Sequence, residues 1–250
     1  MLRTLESSFI YFPLRDYAAL PRDFGLRAEA LSLDSEGGAR LEGWRIHAAG
    51  RWALLFFNSN GGNISHRLER VQALVESLGL DVFLVDYRGY GASTGRPSES
   101  GLYADGAAIY QAARARGFPP ERIVLFGESL GCAVAVETAM RHPCGAVILE
   151  SPFLSIAAMA RRYYPFVPPF LIRTRFDNEG KIARVAVRKL IVAAEKDDVV
   201  PPSHARRLFD AAGPPKEFYS IRGARHNDAY IVGGSEYVEA WRRFLEGTGD

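Results

Sequence analysis

The chain has 250 residues, 48% hydrophobic and 24% charged, which suits one sizeable globular domain and excludes a disordered or fibrous protein. Lys and Arg number 31 and Asp and Glu 29, so a net charge of +2 leaves no global field to hold nucleic acid or an acidic partner. Two cysteines, Cys132 and Cys144, bracket a predicted helix of about three turns, roughly 18 Å, too far for a disulfide. No metal-ligand spacing is present. With no apolar leader run and no apolar stretch of membrane length, the expected location is cytoplasmic.

From residue 40 onward, apolar runs alternate with helical patterns. Leu41–His47 and Trp52–Phe57 read as strands joined by Ala-Ala-Gly-Arg into an antiparallel hairpin. A helix follows with Leu68, Val71, Leu74, Val75 and Leu78 on one stripe and Gly79 as its stop. Strand Asp81–Asp86 then leads to helix Tyr103–Arg116, and strand Arg122–Phe126 to helix Leu130–Arg141. After strand Ala146–Glu150 the pattern breaks; it resumes as strand Lys189–Ala194, helix Ser203–Ala212, strand Lys216–Ser220 and helix Ser235–Glu246. Runs such as Ala-Leu-Leu-Phe-Phe and Ile-Val-Leu-Phe are apolar at consecutive positions, as strands covered on both faces must be.

The predicted architecture is therefore α/β, a mostly parallel central sheet with helices on both faces, in a single domain over residues 1–250. The interruption, residues 153–182, is aromatic and carries Pro165, Pro168 and Pro169, which forbid one continuous helix. Its position after a sheet strand suits a small cap over an active site; the plainer reading is a surface connection.

The most informative residues are Gly127-Glu128-Ser129-Leu130-Gly131, between a buried strand and an Ala-rich helix. A serine on a sharp strand-to-helix turn has its hydroxyl exposed, and flanking glycines let backbone approach closely. The same pattern also arises as a glycine-rich helix start with a serine cap. A serine hydroxyl needs a base to become a useful nucleophile. Of five histidines, His47, His66 and His142 lie where the strand order would not bring them over Ser129, and His204 reads as a solvated helix-start residue. His226 follows the last strand in a loop opening above the carboxyl ends of the strands, which makes it the candidate base. The strand ending at Ala194 empties into Glu195-Lys196-Asp197-Asp198, where Asp197 is the first choice for an orienting carboxylate and Asp198 the fallback. Either aspartate is equally at home as a turn or capping residue.

Beyond these residues, Asp86-Tyr87-Arg88-Gly89-Tyr90-Gly91, Leu149-Glu150-Ser151-Pro152-Phe153 and Gly223-Ala224-Arg225-His226 complete a pattern that resembles the α/β-hydrolase superfamily of serine hydrolases over nearly the whole chain. The compact, small-lidded branch, which includes depalmitoylase-like and bacterial esterase-like members, is the most similar. The resemblance implies Ser129 as nucleophile, Asp197 as orienter and His226 as base, with the N–H groups of Leu130 and Asn60 as oxyanion donors. It implies no cofactor and no metal, and hydrolysis of a small-molecule ester or acyl substrate through an acyl-enzyme. One departure stands out. Such enzymes usually carry His-Gly-Asn where this chain has Asn58-Ser59-Asn60. If that glycine needs a positive φ, Ser59 would displace the Asn60 amide.

Substrate class is less legible. Phe153, Met159, Tyr163, Tyr164 and Phe166 offer apolar surface for an acyl chain, or else simply pack the cap onto the body. Arg161, Arg162, Arg173 and Arg175 read as a solvated charged face. Contact with a membrane surface stays open, with no sequence feature demanding it, and nucleic acid is not an expected partner. A peptidase or amidase on the same scaffold and a non-catalytic ligand-binding relative are the competing readings.

Overall fold

The computed structural model describes residues 2–247. Its sheet contains β2 (Ala28–Ser35), β3 (Ala39–Ile46), β4 (Ala53–Phe57), β6 (Asp81–Val85), β7 (Ile123–Glu128), β8 (Ala146–Glu150), β9 (Lys189–Ala194) and β10 (Lys216–Ile221). Their spatial order is β10-β9-β8-β7-β4-β6-β3-β2, and only β3 runs against its neighbours. A separate two-residue pairing joins β1 (Phe12–Pro13) to β5 (Gly61–Gly62).

Consecutive apolar residues divide between the two faces. In β4, Leu55 and Phe57 enter one core with Leu102 and Ile109 of α3 (Glu99–Ala115) and Val134 of α4 (Leu130–Arg141). Leu54 and Phe56 point the other way, toward Leu74 of α2 (Leu68–Leu78) and Trp241 and Phe244 of α8 (Ala229–Glu246). Period-two alternation with both faces covered thus explains runs that do not alternate in polarity. Gly79 closes α2 in the left-handed conformation at φ 65°.

The structure corrects the expected first hairpin. β3 does not pair with β4; it pairs with β2, which sequence reading missed, and on its other side with β6. Every residue of β4 is buried, so the strand needs partners on both sides and helices on both faces, and it lies between β6 and β7. β2, with half-exposed polar residues along its length, tolerates the edge. The N-terminal helix α1 (Leu2–Ile10) was also absent from the sequence reading.

Between β8 and β9 the chain forms α5 (Ile156–Tyr163), a single 3-10 turn at Pro169–Leu171 and α6 (Asn178–Ile182). Phe153, Leu154, Phe176 and Ile182 belong to the core of the body, whereas α5 buries none of its residues. Among the described residues, no helix is long and apolar enough to cross a membrane.

Candidate active site

β7, β9 and β10 end at one edge of the sheet, and their exit loops carry Ser129, Asp197 and His226. Ser129 adopts φ 52° and ψ −111°, a conformation that costs a non-glycine residue free energy and persists only where the surroundings enforce it. Two close approaches do so. A Cβ on Gly127 would lie 2.5 Å from the backbone of Cys132, and one on Gly131 would collide with the carbonyls of Phe57 and Asn58. The Ser129 N–H donates to the Glu150 carbonyl at 2.9 Å, tying the turn to the end of β8.

From this turn Ser129 Oγ lies 3.1 Å from His226 Nε2, and His226 Nδ1 lies 2.8 Å from Asp197 Oδ2. All three residues are buried. The second carboxylate oxygen of Asp197 accepts the N–H groups of Val199 and Val200 at 2.9 and 2.7 Å. The aspartate therefore closes the turn and aims at the imidazole at once. Burial alone would raise its pKa, but the hydrogen bond and charge of His226 and the Val200 N–H hold it below the ordinary carboxylate value. For His226, burial would lower the pKa; the hydrogen bond and charge of Asp197, aided by Glu128 and Glu150, outweigh it and raise the value above that of a free imidazole.

The other candidates stay apart from this chain of contacts. Asp198 contributes its backbone carbonyl to the Tyr163 hydroxyl at 3.4 Å, not a carboxylate to His226. His204 is not solvated as expected: it is buried in the first turn of α7 (Pro202–Ala211), because that turn packs inward between α6 and β9. It makes no hydrogen bond to Ser129 or Asp197, and burial lowers its pKa.

Leu130 opens α4, at a position where a helix leaves an N–H without an intrahelical acceptor. Asn60 is pinned by three contacts: its side chain donates to the Ile10 carbonyl at 2.9 Å, and its carbonyl accepts the Phe12 N–H and the Tyr90 hydroxyl, each at 2.9 Å. Its own N–H has no acceptor among the described residues. Ser59 does not adopt a positive φ, so its Cβ sits there without backbone strain. Its hydroxyl accepts from Arg67 Nη2 at 2.5 Å, while Arg67 Nε donates to Glu128 Oε2 at 2.7 Å. One guanidinium thus ties the loop after β4 to the residue just before Ser129, a link the sequence motif alone did not reveal.

Behind the turn, Arg70 is buried against Glu150 Oε2 at 2.5 Å, the Tyr237 hydroxyl and Glu128 Oε1 at 3.7 Å. Burial would push the Glu128 carboxyl up, but the Arg67 and Arg70 charges bring it below its ordinary value. A cavity of about 520 Å³ opens between α2 and α8, with Arg70 and Tyr237 in its wall. Neither Ser129 nor His226 lines it, so it is not where an acyl group would meet the serine. Of the apolar residues offered as a substrate surface, Phe153 is buried in the body, Met159 is half-buried against it, and Tyr163, Tyr164 and Phe166 are exposed.

Comparison with known proteins agrees with this architecture. The profile of the family described as serine aminopeptidase, S33, matches residues 51–176. The uncharacterized protein Rv2307c of Mycobacterium tuberculosis is 41% identical over 248 residues, covering 97% of this chain and 88% of its own. The α/β hydrolase domain-containing protein WAV2 of Arabidopsis thaliana is 32% identical over 98% of this chain and 89% of its own. The chain belongs to the α/β-hydrolase superfamily. The fold of this hydrolase is also that of the Pyrococcus furiosus esterase Pf2001, with a TM-score of 0.80 and 18% identity over 95% of this chain and all of the other. Among the described residues, no group of three or more His, Cys, Asp or Glu side chains could hold a metal ion.

Proposed function

We propose that this hydrolase cleaves carboxylic ester or thioester bonds through an acyl-enzyme on Ser129. The observation that carries this reading is the Ser129–His226–Asp197 chain of contacts, 3.1 and 2.8 Å long, on a strained turn. In the first half-reaction His226 Nε2 takes the Ser129 proton as Oγ attacks the carbonyl carbon. Asp197 keeps the remaining imidazole proton on Nδ1, so Nε2 is the nitrogen free to accept. Negative charge on the carbonyl oxygen is held by the Leu130 and Asn60 amides; a single donor of this kind is worth on the order of 3 kcal/mol. His226 then hands its proton to the departing alcohol or thiol. A water molecule activated by the same imidazole releases the acid and restores the serine.

The S33 profile favours a second reading, hydrolysis of an N-terminal peptide or other amide bond by the same groups. The esterase with the same fold supports the first. A panel of p-nitrophenyl esters of increasing chain length, acyl-thioesters and anilides separates the two. Turnover of anilides at rates comparable to esters would move the assignment to the amidase reading. A fluorophosphonate probe tests the nucleophile itself: the wild-type protein should be labelled at Ser129 and Ser129→Ala should not. A folded wild type that stays unlabelled would favour a ligand-binding protein instead.

The raised His226 pKa has a signed consequence. Acylation uses the neutral imidazole, so kcat/KM should climb with pH as the free enzyme loses that proton. The midpoint should fall above 6.5, the ordinary imidazole value, because Asp197 and the two glutamates favour the charged form. A pH profile on an uncharged ester checks this, and a midpoint at or below 6.5 would contradict it.

A further inference from the structure

We propose that the cap and the N-terminal helix form one docking surface for an anionic lipid bilayer. Phe166 and Phe170 are 79% and 82% exposed, and Tyr163, Tyr164 and Leu171 beside them are exposed as well. The Tyr164 ring meets Phe9 of α1 edge-on at 5.6 Å, which joins the cap to a second apolar group. Phe9 is itself 55% exposed, and Phe12 and Leu14, just beyond α1, are 53% exposed each. Large apolar side chains gathered this way on a protein surface mark an interaction site, and aromatic rings suit the boundary between lipid headgroups and acyl chains.

Charge selects the partner. Residues 151–176 contain Arg161, Arg162, Arg173 and Arg175 and no Asp or Glu. Many other arginines are paired, as Arg45 is with Asp81, Arg88 with Asp105 and Arg207 with Glu179. These four form no ion pair among the described residues, and Arg162 lies over the Tyr163 ring at 5.7 Å. Glu6 and Glu99 accept backbone N–H groups of residues 173–176, and Asp177 caps α6 through the Gly180 N–H. Unpaired arginines around exposed aromatics complement an anionic membrane surface, each worth about fivefold in binding. The patch also adjoins the candidate site, since the Tyr163 hydroxyl donates to the Val199 carbonyl at 2.6 Å, two residues past Asp197. Docking there would bring the cap side of the site to the bilayer.

The test is cosedimentation of the full chain with vesicles of phosphatidylcholine alone or with about a third phosphatidylglycerol. It reads binding without turnover and so stands apart from the catalytic reading. Wild type should pellet at least tenfold better with the anionic vesicles, and added salt should reduce that preference. Phe166→Ser with Phe170→Ser, both at exposed positions, should weaken binding to anionic vesicles at least tenfold. Arg161→Gln with Arg162→Gln should remove most of the preference for phosphatidylglycerol while leaving any weak binding to phosphatidylcholine. Equal pelleting with both vesicle types, or no loss in the phenylalanine variant, would overturn the proposal. So would light scattering that shows a dimer dissolved by the phenylalanine substitutions, which would assign the patch to a second copy of this chain.

Discussion

Asp197→Asn is expected to reduce ester turnover by about four orders of magnitude while leaving the fold intact. The reason lies in what the two carboxylate oxygens do. Asp197 Oδ1 accepts two backbone N–H groups and Oδ2 accepts from His226 Nδ1. An asparagine that keeps its oxygen on Val199 and Val200 must present its NH₂ to His226. Nδ1 then becomes the acceptor, the ring proton moves to Nε2, and the nitrogen facing Ser129 can no longer take a proton. Turned the other way, the amide would aim N–H groups at two N–H donors. That second orientation would keep the productive tautomer but is disfavoured by the facing donors, so the first, inactive one prevails. Asp198→Asn should change the rate by no more than about twofold, since the structure gives that carboxylate no part in the contacts to His226 and surface changes of this kind are usually near neutral. Steady-state kinetics on one ester, with circular dichroism to check folding, decides the matter. Comparable losses in both variants would leave the acid unassigned.

The largest expected loss of stability is at Arg70. Its side chain is 3% exposed and its guanidinium lies among the rings of Phe126, Tyr237, Tyr230 and Phe56, at 4.7 to 5.7 Å. Burial alone would lower its pKa; Glu150, Tyr237 and Glu128 together hold it above the ordinary value. Arg70→Met preserves much of the volume but leaves the Glu150 carboxylate buried without its cation, beside the neutral Tyr237 hydroxyl 2.9 Å away. Removing one member of a buried ion pair typically costs about 3–5 kcal/mol. At roughly 2–4 °C per kcal/mol for a chain of this size, Tm should fall by about 6–20 °C. The double variant Arg70→Met with Glu150→Gln should recover part of the loss, because the stranded charge is then gone. Thermal and urea unfolding measure both, and a single-variant cost below about 1 kcal/mol would mean the network does not hold the fold together. Since the Glu150 carbonyl receives the Ser129 N–H, slower fluorophosphonate labelling should accompany the loss.

Much of the fold was legible because burial on two faces leaves its mark in consecutive residues. Arg122–Phe126 and Ala146–Glu150 read as strands covered on both faces, and they are the interior strands β7 and β8. Ser129 was legible from the glycines that its turn demands, and His226 and Asp197 from their positions at strand ends in chain order. Arg70 was not. It sits at an ordinary position in an amphipathic helix, and its partners come from β8 and α8, 80 and 167 residues away. His204 looked like a solvated residue because helix starts commonly face water; the packing of α7 against β9 and α6 decided otherwise. The Arg67 contact to Ser59 was hidden as well, since the two side chains meet only through the packing of α2 beside the loop after β4.

Periodicity and residue chemistry are local, so the amino-acid order alone determined where most strands and helices after residue 40 form, that the sheet is mostly parallel, and which loops lie at its carboxyl edge. Neighbour choice among strands is not local. Within the large sheet β4 comes between β3 and β6 in chain order, yet in space it lies between β6 and β7, because a strand buried on every residue gains most at the centre. Packing of whole elements likewise brought Arg70 beneath the Ser129 turn, Arg67 onto Ser59, and the Tyr164 ring against Phe9. Those contacts depend on the packing of whole elements in three dimensions, and only the tertiary structure decided them.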